Sequence, residues 1–438
     1  MEEVPALTEI CRLMASGALS PAELLDCCIG SLEATEERIR AWVTLDVDRA
    51  HDQARQLGSR PPDDAPLWGI PVGIKDIVDV AGLPTTAASR ILAGNVAPAD
   101  APAVRCLRAA GAVVIGKTNT QEFAYGCVSP PTTNPWDAGR IPGGSSGGSA
   151  AAVVAGHCLG ALGSDTAGSI RIPSALCGAC GLKPRPGIVP ADGVIPLAPT
   201  FDAVGPIART VGDLGLLWGA LTGRLVRLGG LLPRVVVAPE SVLPELDPGV
   251  ATAFYEAVRI LDALAPSVRP ATIPPFGAFD GPRSTVLMWE AMQVHRARGW
   301  WPARAAEYTD ETREYLAYTD RTGSREATEA ARRECERLGG LLASAIGEDE
   351  VLATPTVPCE APTHAQAASK EEGSPRRPVV RDLTRIPGPV NVAGLAGLSV
   401  PCGFTPGGLP AGLHLVGKDE ETLLRLGLAY ERETKAGL

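Results

Sequence analysis

Apolar positions along residues 6–58 recur at helical spacing, which predicts helix through that stretch. Within it, Ser20-Pro21-Ala22-Glu23 reads as a capping box with proline at the first helical position, and Leu24, Leu25 and Cys28 follow on one face. A polar, proline-rich break from Ser59 to Ala65 leads into Ile70-Pro71-Val72-Gly73-Ile74-Lys75, whose apolar run predicts a strand entering a buried region. Arg105–Ala110 predicts a short helix and Ala112–Ile115 a buried strand. From Pro142 to Pro190 the chain is dense in Gly, Ser and Ala, so backbones can approach closely there, as a site built from main-chain amides requires. Residues 224–350 predict a helix-rich region with most of the large aromatics. Gln366 to Arg377 predicts an exposed polar loop, and strand and helix signals resume from Val400. No internal repeat is visible.

Composition changes this picture little. Hydrophobic residues at 45% and charged residues at 21% suit a globular chain that buries a large core. A net charge of −10 argues against a nucleic-acid or anionic-membrane surface. Met1-Glu2-Glu3 lacks the basic and apolar regions of a signal peptide, and no stretch reaches the length of a membrane span; the expectation is a cytoplasmic protein. Eleven cysteines spread from Cys11 to Cys402 read as reduced, mostly buried thiols. Cys177-x-x-Cys180 has no partner pair at zinc spacing, so no metal is expected.

Two serine–glycine clusters carry the chemistry: Gly143-Gly-Ser145-Ser146-Gly-Gly-Ser149 and Gly163-Ser-Asp165-Thr166-Ala167-Gly168-Ser169-Ile-Arg171. Each runs into an apolar segment, unlike a flexible linker, and such turns suit N–H groups facing a developing negative charge. A serine nucleophile needs a base. None of the five histidines sits in a motif-like setting, but Lys75, one of only six lysines, lies inside an apolar run. Burial disfavours its charged form and makes a neutral, basic amine accessible. The alternative for Lys75 is a salt bridge to Asp76 or Asp79. Two further patterns compete. Gly111-Ala-Val-Val-Ile-Gly-Lys117-Thr118 matches the P-loop string, though its intervening residues form a β-type apolar run. Gly144-Ser145-Ser146-Gly147-Gly148 matches a nucleophile elbow centred on Ser146, but no buried strand precedes it.

Taken together, these residues closely resemble the amidase-signature family. The match runs through Gly69–Asp76, Gly116–Asn119, Asn134–Asp137, Gly143–Ser149, Asp165–Arg171 and Gly181–Pro184, with later landmarks at Val204–Pro206, Ala353–Pro355 and Gly408–Gly412. The resemblance implies one α/β domain over residues 1–438, a large mixed β-sheet sandwiched between helical layers. Its parts would be a helical N-terminal segment (1–60), a signature core (69–210), a variable substrate-shaping region (224–350) and a C-terminal portion (351–438). It also implies that Ser169 is the nucleophile, that Ser145, after a cis peptide, relays the proton, and that Lys75 is the base. Thr166, Ala167, Gly168 and Ser169 would supply the oxyanion hole, with Ser146, Asp165 and Arg171 holding the loops. No cofactor is implied.

Departures from the family pattern fall at Ala167, where many members carry glycine, at Ser174 and Cys180, and in a shortened segment between Gly126 and Thr133. The expected activity is hydrolysis of the C–N bond of a small-molecule amide through a Ser169 acyl-enzyme, with no nucleic-acid or membrane partner and a homodimer contact open to the N-terminal helices. An acyl transferase and a glutaminase-type amidotransferase subunit would use the same triad. A non-catalytic binding protein on this scaffold is the reading from another class. The aromatics Trp289, Trp300, Trp301, Tyr308, Tyr315 and Tyr318, with Met288 and His295, divide between core and pocket in a way that spacing does not resolve.

Overall fold

The structure is a computed structural model that describes residues 6–58, 61–62, 65–224, 226, 229–371 and 377–434. The expectations for Met1–Glu3, for part of the break at 59–65, and for 372–376 of the polar loop lie outside those residues. The described strands are β1 (Trp42–Leu45), β2 (Pro71–Lys75), β3 (Val113–Thr118), β4 (Gly160–Asp165), β5 (Cys180–Lys183), β6 (Ala203–Ala208), β7 (Arg234–Val237), β8 (Val268–Pro270), β9 (Glu350–Pro355), β10 (Ala396–Phe404) and β11 (Pro410–Gly417). They form one sheet in the order β1-β3-β2-β4-β6-β5-β10-β11-β9-β7-β8. β2 runs parallel to β3 and β4, and β7 to β8 and β9, while the other pairings are antiparallel.

Both faces of the sheet are covered by helices, as the resemblance implies. On β3, Val114 packs into the cluster that holds Leu7, Leu214 and Leu217, while Val113 and Ile115 pack with Ala150–Val153 on the opposite face. A strand buried on both sides reads as a continuous apolar run, which is why β2 and β3 are visible in the sequence.

The N-terminal stretch differs from a continuous helix. Helices at Leu7–Ala15, Pro21–Ile39 and Val47–Gln56 are interrupted by β1. Ser20 and Glu23 make both capping-box bonds of the second helix. Trp42-Val43-Thr44-Leu45 alternates half-buried and exposed positions, the signature of an edge strand, and pairs antiparallel with Thr118, Lys117 and Gly116. β3 extends three residues beyond its expected end, and the helix before it begins at Pro102 rather than Arg105. The helix-rich region also contributes β7 and β8, short strands that complete the far edge of the sheet. At the start of the expected polar loop, Thr363 and Gln366 form a second capping box on the helix His364–Ala368.

Candidate active site

Lys75 ends β2, and Ser164 and Asp165 end the parallel neighbour β4, so these groups meet at the carboxyl ends of adjacent strands. Ser145 and Ser146 directly precede the helix Gly147–Val154, and Ser169 precedes the helix Arg171–Cys177. The backbone N–H of Ser146 donates to the carbonyl of Ser169 at 3.0 Å, tying the two serine loops together. The peptide between Gly144 and Ser145 is cis. The Ser145 carbonyl accepts from Ser129 Oγ at 3.1 Å and from the Gln121 amide at 3.3 Å.

Lys75 is wholly buried. Its Nζ donates to Ser145 Oγ at 2.6 Å, to Ser164 Oγ at 2.9 Å and to Ser146 Oγ at 3.0 Å. Three hydroxyls therefore occupy the three donors of the ammonium ion, with no carboxylate among the described residues in contact. Burial lowers the Lys75 pKa from 10.5 to about 7, against an opposing pull from the negative charges of Asp165 and Asp202. Once deprotonated, the amine keeps two donors and gains a lone pair, so one hydroxyl must turn and donate to it; Ser145 makes the shortest contact.

The competing assignments resolve on contacts. Asp76 pairs with Lys117 at 3.0 Å, both fully buried, and accepts from Thr86, so it forms no ion pair with Lys75. Lys117 also donates to the Pro84 carbonyl and Thr85 Oγ1 inside the strand β3, which removes the phosphate-binding lysine that a P-loop needs. Gly116 serves close strand packing, because a Cβ there would lie 2.2 Å from the Thr44 carbonyl. Ser146 donates to the Ser164 carbonyl and follows a turn rather than a strand, unlike a nucleophile elbow. Cys177 and Cys180 are buried and donate to different carbonyls, those of Pro142 and Arg209.

Asp165 organises the second loop from below. It accepts from Gly168 N at 2.8 Å, from Ile170 N at 3.1 Å, and from Arg171 through Nη2 at 2.8 Å and Nε at 3.0 Å. Burial alone would raise its pKa; the Arg171 guanidinium and the Asn391 amide overcome this and hold it well below the usual carboxylate range. Arg171 spends its remaining donors on Asn391 Oδ1, the Pro387 carbonyl and His414 Nε2. Because arginine only donates, His414 Nε2 is the acceptor and Nδ1 carries the proton toward Thr354 Oγ1, 3.2 Å away. Burial, then the charge of Arg171, pushes the His414 pKa well below its usual value.

Of the four amides expected to form an oxyanion hole, one is engaged elsewhere. The Gly168 N–H is already donated to Asp165, and its φ of +124° shows that glycine is needed there for the turn. Thr166, Ala167 and Ser169 line the adjoining cavity, and Ala167 is absent from the positive-φ residues, so its departure from glycine introduces no backbone strain. The cavity, of about 190 Å³, is also walled by Tyr125, Leu287, Met288 and Tyr315. Met288 and Tyr315 thus face the cavity, whereas His295, Trp300 and Tyr308 pack around Phe123.

Sequence reasoning missed Ser164, Asp202, Asn391 and His414. Ser164 sat within the second serine cluster, where its place on the same strand end as Asp165 was the available signal. Asp202 accepts from Thr166 Oγ1 at 2.6 Å, and burial raises its pKa. Asn391 and His414 lie more than 200 positions from Asp165 and Arg171 in the chain and carried no local signal.

The family model described as Amidase matches residues 23–424. The chain is 36% identical over 480 residues to the A subunit of the glutamyl-tRNA(Gln) amidotransferase of Chloroflexus aggregans, covering 96% of this chain and 94% of that protein. A crystal structure of an amidase superposes with a TM-score of 0.88 at 30% identity, covering 98% of this chain and 100% of that one. The A subunit of the glutamyl-tRNA(Gln) amidotransferase of Thermotoga maritima superposes with a TM-score of 0.79 at 28% identity, covering 98% and 94%. With this sheet, these serine loops and a family match across nearly the whole chain, the protein belongs to the amidase-signature family of enzymes that act on carbon–nitrogen bonds.

Proposed function

We propose that the chain cleaves amides through an acyl-enzyme on Ser169, with Ser145 relaying protons to Lys75. The observation that carries this reading is the 2.6 Å contact between Ser145 Oγ and a buried lysine whose pKa is brought down to about 7. Neutral Lys75 takes the Ser145 proton as Ser145 takes that of Ser169, and Ser169 Oγ attacks the amide carbonyl. The amides of Thr166, Ala167 and Ser169 receive the oxyanion. Collapse returns the proton along the same path to the departing amine or ammonia, and water then hydrolyses the ester. Asp165 and Arg171 keep the loop shaped and touch no reacting atom.

Two substrate assignments fit this chemistry. A stand-alone amidase acting on a small molecule is supported by the close superposition on a solved amidase. A glutaminase-type component of an amidotransferase is supported by sequence relatives that match almost end to end, and these relatives weigh more heavily. Hydrolysis of L-glutamine with and without partner subunits separates the two, since partner-dependent glutaminase activity belongs only to the second.

The mechanism itself is tested without a substrate. A fluorophosphonate should label Ser169, as mapped by mass spectrometry, and labelling should vanish in Ser169→Ala and Lys75→Ala. Labelling at Ser146 in its place, or undiminished turnover in Ser169→Ala, would refute the assignment.

A further inference from the structure

The segment between Gly126 and Thr133 packs against the loop that carries Ser145, and Ser129 is the point of contact. A Cβ on Gly144 would lie 2.6 Å from Ser129 Oγ, and one on Gly147 would lie 2.6 Å from Ser129 Cβ. The glycines that flank Ser145 and Ser146 therefore leave the space into which Ser129 fits. Its hydroxyl donates to the Ser145 carbonyl at 3.1 Å and accepts from the Gly147 N–H at 3.2 Å. Ser129 is wholly buried, with a φ of +58°. A residue with a side chain persists in that left-handed region only where surrounding contacts hold it.

The residue that holds it is Gln121. Its Oε1 accepts from the Ser129 N–H at 2.8 Å and from the Val128 N–H at 3.2 Å, while its Nε2 donates to Glu311 Oε2 at 3.0 Å. Two main-chain donors at one end and a carboxylate at the other leave the amide one orientation. The main-chain N–H of Gln121 also donates to the Ser145 carbonyl, at 3.3 Å. Glu311 stands in the first turn of the helix Asp310–Thr322, whose Tyr315 walls the cavity. Glutamine suits this place. A carboxylate could accept from both amides but not donate to Glu311, and a hydrocarbon would leave two buried N–H groups without their acceptor.

We infer that Gln121 is a positioning residue for the proton relay: through Ser129 it fixes the main chain of Ser145, and with it the hydroxyl that passes the Ser169 proton to Lys75. The inference rests on the relay reading of Ser145 and deepens it. Gln121 touches no reacting atom and acts on placement alone. Proton transfer falls off steeply once the partners leave hydrogen-bond reach, and Ser145 Oγ lies 2.6 Å from Lys75 Nζ.

The test is the pH profile of fluorophosphonate labelling at Ser169 in folded Gln121→Met, Ser129→Ala and Ser145→Ala proteins. Gln121→Met should lower the plateau rate about tenfold or more, the scale of loss when a proton-transfer group is misplaced. The Ser145 hydroxyl favours the charged form of Lys75, so its displacement should also move the midpoint of the profile below the parent's. A loss of stability alone would not move that midpoint. Ser129→Ala deletes only the hydroxyl that ties the two loops and should shift plateau and midpoint the same way, the plateau by about threefold. A Gln121→Met plateau within about twofold of the parent's, or a lowered plateau with an unmoved midpoint, overturns the inference. If that variant fails to fold, an unchanged plateau or an unmoved midpoint in Ser129→Ala overturns it instead. Failure of the relay reading shows separately, as a Ser145→Ala protein that labels as fast as the parent.

Discussion

Replacing Lys75 with methionine separates its proposed role as base from its structural burden. In the folded protein burial brings the lysine from 10.5 to about 7, so between those values the unfolded chain binds a proton that the native chain does not. Stability contributed at this site therefore rises with pH across that window, and below about pH 7 the native state bears the full cost of a buried ammonium. The gap corresponds to about 5 kcal/mol, an order-of-magnitude figure because Ser145, Ser146 and Ser164 solvate the charge. Lys75→Met should remove the pH-dependent rise while leaving three hydroxyls short of a partner, at roughly 1 kcal/mol each. The variant should consequently match or exceed the parent in stability at pH 6 and lose that advantage by pH 9, as read by urea melts. For the parent, the rate of fluorophosphonate labelling at Ser169 should follow the neutral amine, rising about tenfold from pH 6 to pH 8 and then levelling. A parent labelling rate that is flat or falls across this range, or a Lys75→Met protein that labels as fast as the parent, would refute the assignment of Lys75 as base.

Ser164→Ala removes a hydroxyl that favours the charged lysine, so the midpoint of the labelling profile should move below about pH 7, by less than one pH unit. Gly168→Ala forces a side chain to φ +124° and within 2.7 Å of Pro387 and Ile172, and should cost about 2 kcal/mol or more in a denaturant melt together with most Ser169 labelling. Arg171→Met leaves the Asp165 carboxylate buried without its cation; a loss of about 3–5 kcal/mol in the same melt is expected, with acid unfolding beginning at higher pH.

Much of the site was legible because its chemistry is written in short segments. Lys75 stood out as a charge inside a strand buried on both faces, and the two serine clusters stood out because small residues were concentrated where loops must pack against strand ends. The helix at Pro21 was announced by its own capping residues. The sheet edges were not legible. β1 has four residues and only half-buried alternation, so the helical pattern around it hid it, while β7 and β8 are short pieces whose partners lie far along the chain.

The amino-acid sequence by itself marked out a lysine inside an apolar run and two serine–glycine clusters, since residue type and local burial pattern show such groups, and the family resemblance supplied the roles expected of them. Tertiary structure decided what those groups do to one another. Three hydroxyls, rather than Asp76, surround the Lys75 amine because Lys117 from the neighbouring strand claims that aspartate. Gly168 surrenders its amide to Asp165, and Asn391 and His414 reach Arg171 from beyond 200 residues away. Such outcomes turn on competition for a limited number of donors and acceptors in a space without water, and only the folded chain brings the competitors together.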